Sequence, residues 1–282
     1  MKKGINFWSF EEGISIKKAM NIAKDAEFEG IELCLASTGE VSLESSDREI
    51  NEVKKYADEI NLEIASLASW LPWDYSLTSN NPLHREKAKD IIRKQLEVAY
   101  LLGTDTILVV PGYVGVDFVP NSEVCSYDKV YDRALEAISM LTSDAEKLEV
   151  TIAIENVWNK FLLSPLEMRD FVDKINSPYV GIYFDVGNVL LTGYPEQWIN
   201  ILGTRIKRVH FKDYRRDPGG FNAFVDLLAG DVNFPSVMKA LMNIGYSNYC
   251  TAEMMPTYTH HSEQIIYNTS SAMDRIFSNL NE

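Results

Sequence analysis

Four short hydrophobic runs in the second half of this chain each deliver a side chain able to ligate a metal. TIAIE ends at Glu155, VGIYFD ends at Asp185, IKRVHF carries His210, and NYCTAE ends at Glu253. Three carboxylates and one imidazole form a mixed oxygen and nitrogen donor set, suited to a divalent ion harder than those held by thiolates. Manganese is the first expectation, with cobalt, zinc and magnesium behind it. Each residue alone has an ordinary reading. Glu155 can be a strand-end surface acid, Asp185 a cap for the turn before Gly187, His210 a hydrogen-bonded core residue and Glu253 the partner of a nearby base. Their recurrence at four successive strand ends argues for one centre. In a closed parallel barrel the carboxyl ends of all strands share a face, and active sites lie there.

Trp8, Trp70, Trp73 and Trp158 fall at or just beyond the ends of the first, third and fifth strand-like runs, and Tyr113 follows the fourth. Aromatic faces at such places can line a pocket for the C–H surfaces of a sugar. Packing of loops onto a barrel rim is the competing explanation for each. Trp8 and Trp158 are the expected substrate contacts, whereas Trp198 lies in a helix-like segment. Lys212, Arg215 and Arg216 follow His210 closely and offer donors to a substrate oxygen or phosphate, against the plainer reading of a solvated loop. The connection they open, roughly residues 212–232, is long and holds Pro218, Gly219 and Gly220. It reads as a lid that brings Arg216, with Arg215 beside it, to the pocket. His84 precedes a charged helix start and reads as a capping or surface group, and the His260–His261 doublet is weak metal evidence. VPGYVG lacks the lysine and the strand–loop–helix pattern of a phosphate loop, and no Rossmann fingerprint stands out.

These residues need eight strands to position them. GINFW (4–8), GIELCL (30–35), 62–69, TILVV (106–110), 150–155, 180–185, 206–211 and 249–254 read as strands. Helical periodicity fills the gaps between them. Ser46 with Glu49 forms a capping-box pattern before DREINEVKKYADEI. Gly103 stops the long helix 83–102, and Ser164–Pro165 opens a helix in cap-and-first-turn order. Further helices are predicted over 15–27, 127–148, 196–202, 234–244 and 262–280. Eight strand–helix units predict an α/β chain folded as a single (β/α)8 barrel over residues 1–282. A doubly wound sheet is the alternative, but only closure brings strands five to eight around one mouth.

Composition bounds the partners. The 282 residues include 41 Asp plus Glu against 27 Lys plus Arg, for a formal charge of -14. That balance opposes long-range attraction to nucleic acid or to an anionic membrane, although not local phosphate binding. No apolar run approaches the roughly 20 residues of a membrane helix. MKKGINFWSFEEG reaches acidic residues before any long apolar stretch and reads as a first strand, not a secretory signal. A cytoplasmic protein, with a homo-oligomer left open, is the expectation. Cys34, Cys125 and Cys250 show no close pair and no zinc-finger spacing, and Cys34 and Cys250 are expected as buried apolar side chains.

At IAIEN, YFDVGN, VHFKD and TAEM the chain resembles the xylose-isomerase-like barrel superfamily, over essentially its whole length. Within it the resemblance is to the small sugar isomerases and epimerases, among them L-ribulose-5-phosphate 3-epimerases, D-tagatose 3-epimerases and hydroxypyruvate isomerases. The resemblance implies a Glu–Asp–His–Glu metal site at Glu155, Asp185, His210 and Glu253. It also implies that Glu155 and Glu253 are the paired proton-transfer residues, and that Arg216, six residues past the histidine, contacts substrate. Departures exist: where free-ketose epimerases often carry a histidine and a second glutamate, this chain has Asn188 and Phe161, and its DVGN resembles the sugar-phosphate epimerase branch more closely. The implied activity is 3-epimerisation of a ketose or ketose phosphate through an enediolate. The alternatives are aldose–ketose isomerisation by the same groups, a non-catalytic sugar-binding barrel, and a metal-dependent endonuclease. Four histidines and the acidic balance oppose the last.

Overall fold

The computed structural model describes residues 1–278, and within them the strand–helix alternation closes on itself. Seven strands come first: β1 Lys2–Asn6, β2 Gly30–Leu35, β3 Glu63–Ser69, β4 Thr106–Val109, β5 Thr151–Glu155, β6 Val180–Asp185 and β7 Ile206–Phe211. A two-stranded hairpin follows, β8 Asp213–Tyr214 with β9 Phe224–Val225, and then β10 Tyr249–Ala252. The barrel runs β1-β10-β7-β6-β5-β4-β3-β2, every neighbour parallel. Around it stand α1 Ile16–Asp25, α2 Asp47–Glu59, α3 Pro82–Leu102, α4 Tyr127–Leu148, α5 Pro165–Ile175, α6 Pro195–Leu202, α7 Phe234–Asn243 and α8 Gln264–Ser278. The predicted extension of the last helix to residue 280 lies outside the described residues. Among the described residues no helix is long and apolar enough to cross a membrane.

The local signals act as their chemistry requires. Ser46 and Glu49 form both hydrogen bonds of the capping box, satisfying donors worth about 1 kcal/mol to α2. Gly103 ends α3 at φ 72°, a left-handed conformation that glycine reaches without a Cβ penalty. Ser164 accepts from the Glu167 N–H and Pro165 fills the first turn of α5. Alternating strand residues split between two cores. One face packs Ile31, Leu33, Ile152, Ile154, Ile182 and Val209 under the helices. The other points to the barrel axis and places Ala68, Leu108, Ala153 and Tyr183 in an inner cluster.

Three expectations shift. The first strand ends at Asn6, not Trp8, because the Asn6 side chain accepts from the Trp8 N–H at 2.6 Å and turns Phe7–Ser9 into a 3-10 turn. The long connection after His210 is the β8–β9 hairpin with a short 3-10 turn at Phe221–Ala223, so it is a built element. Cys34 is partly exposed, while Cys125 and Cys250 are buried, and all three thiols are free.

Candidate metal centre and its aromatic mouth

The barrel register carries the four predicted ligands to one place. Glu155 is the last residue of β5, Asp185 the last of β6, His210 the fifth of β7, and Glu253 follows β10 directly. Asp185 and His210 are register partners across β6 and β7. One ligand atom from each of the four lies within 4.8 Å of all the others, and all four residues are buried. His210 Nδ1 is 3.1 Å from Glu253 Oε2, 3.5 Å from Glu155 Oε1 and 3.9 Å from Asp185 Oδ2.

Two further residues of the sequence motifs hold this geometry. Asn156 accepts from the Asp185 N–H and donates to the Asp185 carbonyl, both at 2.8 Å, so β5 clamps the end of β6. The Asn188 N–H donates to Asp185 Oδ1 at 2.8 Å, and the Asn188 amide donates to the Asn156 carbonyl at 3.0 Å. Gly187 between them is required by close approach, since a Cβ there would lie 2.9 Å from the Lys212 carbonyl oxygen.

Glu32 is the residue that sequence reasoning missed. It projects from the middle of β2, fully buried, and pairs with His210 Nε2 at 2.8 Å. Ser66 donates to its other oxygen at 2.6 Å, and the Asn6 amide donates to the first. The signal was a lone carboxylate among the apolar residues of GIELCL, on the parity of Gly30 and Cys34, which a buried strand tolerates only with partners. Because Nε2 faces a carboxylate it keeps its proton, so it is Nδ1 that would give one up and turn its lone pair to a metal at the centre.

The donor set fits a divalent cation. Asp185 Oδ2 and His210 Nδ1 are buried side-chain atoms without a hydrogen-bond partner, and both face the cluster. Buried polar atoms left unpaired in this way are costly in a protein interior unless a cation or water meets them. Lys212 also faces the cluster, its ammonium 2.9 Å from Glu253 Oε2 and 3.5 Å from Asp185 Oδ2. Burial pushes the Glu155 carboxyl up to about 7, with Glu253 and Asp185 adding to the rise against His210. Burial acts the same way on Glu253, but the Lys212 ammonium and His210 outweigh it and hold that carboxyl at about 2.

Above the centre opens a cavity of about 190 Å³ whose wall is largely aromatic. Trp8 meets Trp70 edge-on at 5.3 Å, Trp70 meets Trp73 at 6.2 Å, and Trp73 meets Phe118 at 5.0 Å. Phe118 stacks on Phe221 at 5.1 Å, and Phe221 meets Trp158 at 6.3 Å, so the collar spans β1, β3, β4, β5 and the β7 hairpin. Trp158 is fixed by its Nε1–H, which donates to the Asn188 carbonyl at 2.9 Å. Trp8 and Trp158, the predicted contacts, both line the cavity.

Arg216 does not reach it. Its Nε donates to the Leu190 carbonyl at 3.3 Å and its guanidinium lies 5.3 Å from the Tyr194 ring centre, on the outer side of the hairpin. Arg215 donates to the Ala229 carbonyl at 3.0 Å. The hairpin contributes Phe221, Asn222 and Phe224 to the cavity instead. Tyr113 stacks on Trp73 behind the collar, Trp198 packs against Phe184 in the core under the helices, and His260 and His261 are exposed, outside the cluster.

A closed parallel barrel with a buried acid and histidine centre at its carboxyl-terminal face is the architecture in hand. The chain belongs to the Xylose isomerase-like TIM barrel family, whose model it matches over residues 20–273. It is 24% identical over 266 residues to the Escherichia coli K12 protein named "Putative L-ribulose-5-phosphate 3-epimerase", covering 89% of this chain and 87% of the relative. An uncharacterized protein of Methanocaldococcus jannaschii is 26% identical over 214 residues, 74% of this chain and 70% of the relative. The crystal structure of D-psicose 3-epimerase with D-tagatose from Clostridium cellulolyticum H10 superposes with a TM-score of 0.82 at 18% identity, covering 99% of each chain, a likeness of fold.

Proposed function

We propose that this protein is a metal-dependent ketose 3-epimerase acting on a small sugar or sugar phosphate, with no nucleic-acid or membrane partner. One observation carries the reading: Glu155 and Glu253 flank Asp185 and His210 in a buried four-residue cluster at the floor of an aromatic cavity. The names of the Escherichia coli relative and of the similar solved structure, both 3-epimerases, support it.

Glu155, Asp185, His210 and Glu253 would hold the ion, and manganese is the ion we propose for three carboxylates and one imidazole. When bound, the ion supplies a Lewis acid beside the ketose carbonyl and its neighbouring hydroxyl. The chain's own groups do the proton transfers. β5 and β10 stand on opposite sides of β6 and β7 in the barrel order, so the two glutamates approach a ketose from two sides. In one direction Glu253, kept ionised by Lys212, takes the proton from C3 and Glu155 returns one to the opposite face of the enediolate. In the reverse direction the roles exchange. Lys212 stays beside Glu253 and balances the negative charge that builds at the floor. The collar keeps bulk water from the exposed carbanionic carbon.

The test is product NMR after incubating metal-loaded enzyme with ketoses and ketose phosphates in deuterated water. Deuterium at C3 with inversion is the expected result. Deuterium at the carbon next to a newly formed aldehyde would instead assign an aldose–ketose isomerase, and no exchange across the panel would remove the enediolate chemistry altogether.

A further inference from the structure

We infer that the substrate is an uncharged keto-sugar, held by the aromatic collar through its C–H surfaces, and that the site selects against phosphate esters. The inference rests on the proposed reading of the cavity floor and narrows its substrate class.

Charge is the first argument. Phosphate sites in proteins use arginine, lysine or free backbone N–H groups. Among the described residues, the one cationic side chain lining the mouth is Lys212, and its ammonium is already engaged by Glu253 and Asp185 at the floor. The neighbouring cations are turned away. Lys160 pairs with Asp117 at 2.5 Å, Arg215 donates to the Ala229 carbonyl, and Arg216 lies over Tyr194.

Backbone donors are the second argument. Barrel enzymes frequently bind phosphate in the loops after strands seven and eight. Here the N–H groups of Tyr214, Gly230 and Val232 in the loop after β7 converge on a carboxylate of the chain itself. Asp213 accepts from them at 2.8, 2.9 and 3.1 Å and is wholly buried. An internal anion thus occupies that nest. On the other side of the mouth the loop after β10 presents Met255 and Pro256, and proline has no N–H to give.

The third argument is what the wall offers in place of charge. Apart from the charged groups at the floor, the polar side chains on the lining are the neutral Ser69, Asn188 and Asn222, against the aromatic collar of Trp8, Trp70, Trp73, Phe118, Phe221 and Trp158. A face of C–H bonds on a sugar ring matches such a wall, whereas a phosphate would lose its hydration there without compensation.

Matched pairs decide it: L-ribulose with L-ribulose 5-phosphate, and D-fructose with D-fructose 6-phosphate. Two readouts run on the manganese-loaded full chain, solvent deuterium exchange and quenching of tryptophan fluorescence. We expect kcat/KM for exchange, and affinity by fluorescence, to favour the free sugar at least about tenfold in both pairs. Phe221→Ser, at a half-exposed position, should raise KM several-fold with little change in kcat. Equal or better exchange with the phosphate esters would overturn the inference and leave the epimerase reading intact. Absence of exchange with every compound would remove the epimerase reading, and the fluorescence titration would still decide substrate class. Tighter phosphate binding, or no quenching by either member of a pair, would overturn the inference.

Discussion

Glu32 Oε1 and His210 Nε2 lie 2.8 Å apart, and neither side chain has solvent exposure. The imidazole is thereby fixed in orientation and tautomer from a strand that contributes nothing else to the cluster. Glu32 in turn is held by Ser66 and Asn6, so the support of the centre reaches across β1, β2 and β3.

Replacing that support should weaken metal binding while leaving all four ligands in place. Glu32→Gln keeps the shape but loses the charge behind the imidazole, and should cost about 10–100-fold in metal affinity by calorimetry. His210→Ala should lose metal binding and turnover together. Unchanged affinity in either variant would contradict the assigned role.

Metal uptake should release protons. Burial acts to lower the His210 pKa, but Tyr183 and Glu32 hold it well above the usual imidazole range, and Glu155 sits at about 7. Both must give up their protons to become ligands. Raised pKa values mean protonated groups at lower pH, so apparent affinity should fall as pH drops below about 7 and rise above it. Calorimetry in buffers of different ionisation enthalpy reads the proton count; a pH-independent affinity would speak against these ligands.

Glu155→Gln and Glu253→Gln should each lower epimerisation by about 10²–10⁴, the usual contribution of a positioned acid or base. Residual metal binding, followed by electron paramagnetic resonance of manganese, should survive better than activity does. A parallel loss of both would mean that the residues serve as ligands alone.

Asn156→Ala strips the partner from both backbone groups of Asp185. Leaving them unpaired in the interior should lower stability by about 1–3 kcal/mol, visible as a lower denaturant midpoint at unchanged slope. A neutral change would mean that water or Asn188 can replace the clamp.

Arg216→Ala removes a solvent-facing contact with Leu190 and Tyr194. Turnover and stability should both stay within about twofold, the range of ordinary surface changes. A selective fall in kcat/KM would show that the hairpin swings this arginine to the substrate.

What the sequence determined on its own is what depends on local chemistry and on strand period. Capping residues, glycine stops and apolar runs located the elements, and four candidate ligands at strand ends share one face once the barrel closes, because parallel strands present their carboxyl ends together. What tertiary structure decided is whatever depends on register across distant strands. Glu32 lies mid-strand, 178 residues from His210, and only barrel closure turns it into the partner of that imidazole. Asn156 is silent until β6 lies beside β5. Arg216 has the right spacing but the wrong side of a hairpin, because the pairing of Asp213–Tyr214 with Phe224–Val225 directs Phe221 and Asn222 inward and leaves the arginine on the outer surface. Spacing along a chain constrains which residues share a face of one strand, whereas which face meets the substrate is set by contacts formed only after the whole barrel has closed.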